Sequence, residues 1–174
     1  MKPEIRSHLL LVVDVDGTIN MMGAKFDSAK VPTIKPMGNA REILRKFKEN
    51  GAKIVYLTGR SESDYKEVTE TWLLRHGFPD PQSVVYFQPK YGPWTWEAYF
   101  QFKQGEVERL VHQHPGFIPV VVDDNEDILT RLRNAGFDAF MVKQAKDWAV
   151  FEQRYGKESV PSQLDDFLPL DSNS

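Results

Sequence analysis

The chain contains no cysteine among its 174 residues. Disulfides, thiolate metal sites and cysteine nucleophiles are therefore excluded, and secretion receives no support. No apolar run approaches the ~20 residues of a membrane span, and the N-terminal stretch "MKPEIRSH" is not a signal peptide. The net charge of −3 is too small to indicate a basic surface for nucleic acid or membranes. We expect a soluble cytoplasmic domain that does not contact a membrane.

Amphipathic segments, glycines and short apolar runs follow one another in a regular rhythm along the chain. The first amphipathic segment has apolar residues from Ala40 to Phe47 at helical i, i+3, i+4, i+7 spacing, and Gly51 follows it. Short runs that are apolar on both faces and alternate with helices indicate a parallel sheet covered on both sides. We therefore predict an α/β, Rossmann-like fold with strands at residues 8–13, 53–58, 83–87, 118–122 and 138–142.

The length is within the usual range for one domain with a sizeable core. We assign residues 1–156 to this domain. Residues 157–174 are polar, acidic and proline-containing, which predicts a loosely held or disordered extension. No pattern in the sequence defines an oligomeric state.

Polar residues follow three of the predicted strands, at the edge of the sheet where ligands bind in such folds. Several carboxylates in one crevice repel each other unless a cation neutralises them. Oxygen ligands without histidine or cysteine suit Mg²⁺ better than zinc. A bound Mg²⁺ would recruit phosphate oxygens, for which Thr58, Arg60 and Lys103 are candidate partners. The carboxylates concerned are Asp14, Asp16, Asp123, Asp124 and Asp127.

The stretch "DVDGT" suggests a reaction. One carboxylate, Asp14, can attack phosphorus, while its neighbour Asp16 acts first as acid and then as base. A single aspartate after a strand is usually only a turn or cap residue, but paired aspartates directly after a buried strand are more specific. Two alternatives stay open. Arg60 could be only a surface charge or a cap-side ion pair, and either Asp124 or Asp127 could be the N-cap of the helix "ILTRL".

The sequence resembles the haloacid dehalogenase (HAD) superfamily over about residues 8–145. The resemblance lies in "VVDVDGT", "YLTGR", Lys103 before a helix and "VVVDDNED". It implies a HAD-like three-layer sandwich around a central five-stranded parallel sheet. It also implies an aspartyl-phosphate on Asp14, general acid–base work by Asp16, and a grip on the phosphoryl oxygens by Thr58 and Lys103. Mg²⁺ would be held by the Asp14 carboxylate, the Asp16 carbonyl and an acid of the fourth motif, most simply Asp123. An aspartate at position 16 favours a phosphatase within the superfamily.

Family members often carry a cap domain after the first or third strand, and here both connections are short. The gap 19–37 is too short for a cap, and we expect the gap 88–102 to be only a loop. The chain is most similar to the 3′-phosphatase domain of phage polynucleotide kinases, which implies substrate contacts for Gly59 and Arg60. Lys25 stands where that pattern has arginine, and lysine cannot make the planar bidentate grip. No P-loop occurs, so no kinase half is present.

The segment 86–102, "YFQPKYGPWTWEAYFQF", is dense in aromatic residues. Tyr91, Trp94 or Trp96 could stack on a nucleobase, with Trp94 as our candidate, or these rings could pack under a long loop. We predict a Mg²⁺-dependent phosphomonoester hydrolase acting on a nucleotide or polynucleotide 3′-phosphate end. The alternatives are a phosphatase of a small phosphorylated metabolite and a non-catalytic module that binds a phosphorylated ligand.

Overall fold

The computed structural model describes residues 8–23 and 25–159. Five parallel strands form one sheet in the order β3-β2-β1-β4-β5. Consecutive residues of β1 alternate between two apolar clusters, because successive side chains of a strand point to opposite faces. The strands are β1 (His8–Val13), β2 (Lys53–Ser61), β3 (Val84–Phe87), β4 (Phe117–Asp123) and β5 (Asp138–Met141).

Helices cover both faces of this sheet, so the predicted three-layer α/β sandwich is confirmed. Apolar residues of α1, α2 and α5 pack on one face, and those of α3 and α4 pack on the other. The helices are α1 (Ala40–Glu49), α2 (Glu62–Arg75), α3 (Trp96–Gln113), α4 (Glu126–Asn134) and α5 (Ala145–Ser159).

Strand β2 is longer than predicted: it contains the whole "TGR" triplet instead of ending at Thr58. Its pairing with β3 shifts register between Thr58 and Ser61, so Gly59 and Arg60 form an irregularity within the strand. A bulge of this kind re-aims side chains at the edge of a sheet. Gly59 and Arg60 therefore leave the regular strand pairing although the strand continues to Ser61.

The prediction that residues 88–102 form only a loop was wrong. Helix α3 begins at Trp96, because the Thr95 hydroxyl accepts a hydrogen bond of 3.0 Å from the backbone N–H of Ala98 and so caps the first turn. The loop between β3 and α3 is thus short, with a single 3-10 turn at Pro89–Tyr91. The aromatic residues 96–100 lie on the helix.

Helix α5 was not predicted at all. Trp148, Phe151 and Tyr155 are buried against the sheet at i, i+3 and i+7 spacing. The helix reaches Ser159, so it includes the first three residues of the segment that we assigned to a tail. The remainder of that segment, 160–174, lies outside the described residues.

The sheet order explains where a site can form. From β1 the chain runs to β2 and β3 on one side and returns to β4 on the other, so β1 and β4 flank the switch point. The described residues of the two connections contain no cap domain, as predicted: residues 19–37 hold one 3-10 turn and an isolated bridge between Asn20 and Pro36. Within the described ranges, none of the helices has the length and apolar character needed to cross a membrane.

Candidate active site

Asp14 is the first residue after β1, and its carboxylate is buried at the switch point. Its backbone N–H donates to the carbonyl of Val122 at 2.8 Å, which extends the β1–β4 ladder by one bond and fixes the residue. Only 5% of Asp14 is exposed. Lys103 Nζ donates to Oδ1 at 2.8 Å, and the Thr18 hydroxyl donates to Oδ2 at 2.9 Å. Both oxygens of Asp14 are therefore oriented by donors.

Lys103 lies on α3 and brings a buried positive charge between two aspartates. Its Nζ also donates to the carbonyl of Leu57 at 2.6 Å and lies 3.1 Å from Oδ2 of Asp123. Burial opposes the charged form of this lysine, but the carboxylates of Asp123 and Asp14 outweigh it, so the pKa of Lys103 is well above its usual value. Lys103 is thus a fixed cation beside Asp14.

Three carboxylates converge in front of β1 and β4. Oxygens of Asp14, Asp123 and Asp124 all lie within 4.8 Å of one another. Burial, together with the neighbouring carboxylates, raises the pKa of Asp14 to about 6 and that of Asp124 to about 9. Gly17, with φ +78°, lets Asp124 approach, because a Cβ at position 17 would clash with its carboxylate.

One oxygen of this cluster accepts no hydrogen bond from the described residues. Asp123 is completely buried, and its Oδ1 accepts a hydrogen bond from the backbone N–H of Asn125 at 3.0 Å. Its Oδ2 receives no hydrogen bond within the described part of the chain, although Lys103 is nearby. A hard divalent cation would satisfy this oxygen and relieve the repulsion among the three carboxylates. The residues present therefore fit such an ion.

Asp127 lies apart from this group. It is exposed on the first turn of α4. The N-cap of α4 is neither Asp124 nor Asp127, as our open alternative had it, but Asn125, whose side chain accepts from the backbone N–H groups of Asp127 and Ile128. Asn125 faces the helix start because Asp123 is the last residue of β4 and only one residue intervenes.

Asp16 is not part of the three-carboxylate cluster and binds Arg60. Nε of Arg60 donates to Oδ2 at 2.8 Å, and Nη2 donates to Oδ1 at 2.6 Å. The side-chain amide of Asn20 donates to the same Oδ1 at 3.0 Å. The Asp16 carboxylate is thereby held in one orientation by a planar fork and an amide.

All three guanidinium nitrogens of Arg60 donate hydrogen bonds within the protein, unlike those of an arginine that is free to bind substrate. Its third group, Nη1, donates to the hydroxyl of Thr69 on α2 at 2.8 Å, and only 5% of the residue is exposed. The open alternative of a surface charge was wrong, because Arg60 is buried and paired with Asp16. The phenyl ring of Phe26 lies 5.8 Å from the guanidinium carbon. Arg60 therefore orients the Asp16 carboxylate through its two hydrogen bonds.

Thr58 and Gly59 lie at the same edge of the sheet. Thr58 is buried, and its hydroxyl accepts from the backbone N–H of Arg60 at 3.2 Å. Gly59 leaves space for an aromatic ring, because a Cβ there would lie 2.7 Å from Cε2 of Tyr99. Tyr99 also lies under Lys103, whose Nζ is 5.4 Å from the ring centroid.

The remaining predicted substrate residues are exposed. Lys25 is exposed and makes no hydrogen bond or ion pair with the residues that the structure describes. Trp94 and Trp96 are exposed and in contact with each other. Tyr91 instead packs under the loop, with its hydroxyl donating to Glu106 at 2.9 Å. The packing alternative therefore holds for Tyr91, and base stacking stays a prediction for Trp94 and Trp96.

Sequence reasoning missed three residues that shape this site. Asn20 accepts from the backbone N–H groups of Gly17 and Met22, so it braces the turn as well as Asp16. Tyr99 covers Gly59, and the indole N–H of Trp148 donates to the Thr18 carbonyl at 2.9 Å. The proximity of Tyr99 to the site could have been predicted, because position 99 lies one helical turn before Lys103 on the same face of the helix. The contact of Trp148 with position 18 has no signal in the sequence.

Comparisons with known proteins give the following findings. The family model described as "PITM 1-3, LNS2 domain" matches residues 11–130. No curated protein matches significantly. A chain in the structure of the Pnkp1/Rnl/Hen1 RNA repair complex is 18% identical with a TM-score of 0.58, covering 78% of this chain and 42% of that one. The class C acid phosphatase from Bacillus anthracis is 16% identical with a TM-score of 0.57, covering 93% and 80%.

These neighbours share the fold of the chain, which is that of haloacid dehalogenase-type phosphatases. The resemblance to this superfamily inferred from the sequence is therefore confirmed. The chain spans about two fifths of the length of the first of these neighbours.

Proposed function

Because the chain belongs to the LNS2 domain family, whose fold is of the haloacid dehalogenase phosphatase type, we propose that it hydrolyses phosphomonoesters through a phosphorylated Asp14. The observation that carries this proposal is the environment of that carboxylate. Asp14 is buried at the switch point, is oriented on both oxygens by Lys103 and Thr18, and has Asp16 two positions on. A carboxylate in such a setting can act as a nucleophile toward phosphorus.

In the first step a carboxylate oxygen of Asp14 attacks the phosphorus, and the bond from phosphorus to the ester oxygen breaks. Asp16 acts as the general acid: in its protonated form it gives a proton to the departing oxygen, so that an alcohol leaves, and the resulting carboxylate is the form that Arg60 binds. Arg60 and Asn20 hold Asp16 for this transfer. Lys103 offsets negative charge that accumulates around the phosphoryl group.

In the second step water attacks the aspartyl-phosphate. Asp16, now a carboxylate, accepts a proton from the water, and the phosphorus–carboxylate bond breaks to release inorganic phosphate and restore Asp14. The same residue thus gives and then takes one proton, and the enzyme ends in its starting state. Thr58 is the proposed hydrogen-bond partner of a phosphoryl oxygen.

Mg²⁺ is the proposed cofactor, and Asp14, Asp123 and Asp124 would hold it together with the backbone carbonyl of Asp16. When bound, this ion would neutralise the carboxylates and polarise a phosphoryl oxygen. The oxygen-only donor set supports this assignment, as does Oδ2 of Asp123, which lies near Lys103 but accepts no hydrogen bond from the described residues. We also keep the cytoplasmic location as a prediction.

The proposed substrate is the 3′-phosphate of a nucleotide or of a polynucleotide end. The crevice has no cap over it in the described residues, so a long substrate could reach the site with only its terminal phosphate inside. One structural neighbour comes from an RNA repair complex, which fits this substrate class.

A small phosphorylated metabolite is the second candidate. Helix α2 begins directly after β2 at the reactive edge, and it lines an open groove of about 520 Å³ with four acidic residues and one lysine, namely Glu62, Asp64, Glu67, Glu70 and Lys66. Negative charge beside the crevice repels a polyanion more than it repels a small ester. This groove is the observation that favours the metabolite.

The test is phosphate release in the presence of Mg²⁺ from three substrate groups: 3′-phosphorylated oligonucleotides, mononucleotides and sugar phosphates. We expect turnover by the wild-type protein and none by Asp14→Asn, with the oligonucleotide or nucleotide giving the highest kcat/KM. A higher kcat/KM for sugar phosphates would select the second candidate. Absence of turnover on all three, and on p-nitrophenyl phosphate, would leave a non-catalytic module that binds a phosphorylated ligand.

A further inference from the structure

Two of the four tryptophans are exposed next to the crevice. Trp94 is 48% exposed and Trp96 is 58% exposed, whereas Trp72 and Trp148 are buried in the core. Large aromatic residues contribute much to stability when buried, so an exposed pair needs another explanation. We name the rings of Trp94, Trp96, Tyr99 and Phe100 the aromatic platform.

The aromatic platform is held in place by its own contacts. The ring centroids of Trp94 and Trp96 are 5.1 Å apart, and those of Trp94 and Tyr99 are 5.6 Å apart. The Thr95 cap between the two tryptophans fixes where the helix starts and so where Trp96 stands. Rings that are already ordered lose little conformational entropy when a ligand stacks on them.

The platform is continuous with the site through Tyr99. This ring packs on Gly59, between Thr58 and Arg60, and its centroid lies 5.4 Å from Nζ of Lys103. The ring of Tyr99 thus contacts both the buried Lys103 and the exposed Trp94. A ligand with its phosphate beside Lys103 would bring the adjoining part of the molecule over these rings.

The charges around the platform indicate what that adjoining part is. Arg131 lies over the Phe100 ring at 5.2 Å but is paired with Glu97 at 3.0 Å, and Lys90 is paired with Glu106 at 3.4 Å. Arg131 and Lys90 are therefore already paired with carboxylates, and Lys90 shares that of Glu106 with Arg109. The surface offers flat apolar rings and not a track for further phosphates, so it suits a planar aromatic group.

We propose that the aromatic platform binds the base of the nucleotide whose phosphate lies in the crevice, so that the substrate is a phosphorylated nucleoside or an unpaired strand end. This inference rests on the proposed function. A paired terminal base is already stacked and hydrogen-bonded within its duplex, and it cannot lie on a protein ring without being unstacked. The platform therefore selects single-stranded ends over duplex ends and rejects sugar phosphates that carry no base.

The first experiment measures binding, independently of turnover. The Asp14→Asn protein is titrated with a nucleoside 3′-monophosphate and with ribose phosphate, and the heat of binding is measured by isothermal titration calorimetry. We expect the nucleotide to bind about 5- to 150-fold more tightly, the range that corresponds to stacking one base. When Trp94→Ala and Trp96→Ala are combined with Asp14→Asn, the preference for the nucleotide should disappear. Trp94→Phe together with Trp96→Phe should keep part of this preference.

The matched control is Leu74→Ala, which removes another exposed apolar side chain, 69% exposed near the far end of α2. This control should keep the full preference for the nucleotide. Circular dichroism spectra of the variants should match that of the parent protein, since all three altered side chains are exposed. Equal binding of ribose phosphate and nucleotide would overturn the proposal, as would an unchanged preference in the double alanine variant.

The second experiment compares phosphate release from one 3′-phosphorylated oligonucleotide as a single strand and in a blunt duplex. We expect the single strand to have the higher kcat/KM and the double alanine variant to lose most of this difference. Equal values in the wild-type protein would overturn the proposal. If no substrate releases phosphate, the proposed function fails instead, and the binding preference still decides whether the platform holds a base.

Discussion

Arg60 offers the sharpest test of how the site works, because two readings of this residue predict different kinetics. If Arg60 positions Asp16, as its two hydrogen bonds of 2.6 and 2.8 Å indicate, its loss should affect only reactions that need a proton on the leaving group. If it grips the substrate phosphate, its loss should affect every substrate alike. The substitution Arg60→Lys separates the two, because lysine keeps the charge and loses the planar fork.

The magnitude follows from the contacts removed. A hydrogen bond to a charged group contributes about 1.5–3 kcal/mol net, and each 1.36 kcal/mol corresponds to about tenfold in rate. Losing one such bond should lower kcat/KM for an alkyl phosphate about 10- to 150-fold. The ceiling is the whole contribution of general acid catalysis, about 10²- to 10⁴-fold. For p-nitrophenyl phosphate we expect a loss below about threefold, because nitrophenolate leaves without a proton.

The assay is steady-state phosphate release from the two substrates at saturating Mg²⁺. The ratio kcat/KM is the readout because it covers the steps up to departure of the leaving group and excludes the later hydrolysis, in which Asp16 acts on both substrates. Arg41→Lys serves as the control, since Arg41 forms an exposed pair with Glu42 on α1. Thermal unfolding of each variant checks that the buried substitution leaves the protein folded. Equal losses on both substrates would refute the positioning role.

Three further outcomes follow from the site. Chelation with EDTA should abolish phosphate release, and Mg²⁺ should restore it. Asp123→Asn should raise the Mg²⁺ concentration for half-maximal activity at least about tenfold, whereas Asp127→Asn, at an exposed position, should leave it unchanged. Equal shifts in the two variants would contradict the proposed ligand set. Gly17→Ala should also raise the Mg²⁺ requirement, because φ is +78° and the new Cβ would displace Asp124; an unchanged requirement would exclude Asp124 from the metal site. Trp148→Phe should lower the free energy of unfolding by about 1–2 kcal/mol in denaturant titration, because it removes the hydrogen bond to Thr18 and some buried volume; a change near zero would mean that this bond does not brace the turn.

The part of the site that strands position could be predicted from the sequence. Asp14 and Asp123 come directly after or at the ends of buried runs, and parallel strands bring their carboxyl ends to one edge. Their convergence therefore follows from the fold alone. Lys103 could be named as a candidate phosphate partner, but its burial could not be predicted, because nothing in the spacing of α3 indicates it.

The partners of the side chains could not be predicted in the same way. Arg60 pairs with Asp16 across 44 residues of sequence, and the register shift in β2 that aims it has no marker in "YLTGR". Likewise, Asn125 caps α4 because of where β4 ends, and both flanking aspartates were equally good candidates by residue type. Contacts that depend on exact strand ends require the three-dimensional structure.

Local rules overlooked two helical segments. The start of α3 at Trp96 follows from the Thr95 cap, but the aromatic density of residues 91–100 masked the capping signal. Helix α5 has a regular apolar spacing at Trp148, Phe151 and Tyr155 that the amphipathic pattern could have indicated. Both helical segments therefore follow local sequence patterns, and tertiary contacts do not override the local helix preference in either.

The measurement that tests the central claim most directly is detection of a phosphoryl group on Asp14. The wild-type protein is mixed with Mg²⁺ and substrate, quenched rapidly in acid, digested, and examined by mass spectrometry of the peptide that contains residues 14–18. We predict that this peptide gains the mass of one phosphoryl group, that the gain disappears in Asp14→Asn, and that it persists longer in Asp16→Asn, in which hydrolysis lacks its base. Rapid turnover with no phosphoryl group on Asp14 at any quench time, or undiminished turnover by Asp14→Asn, would contradict the account.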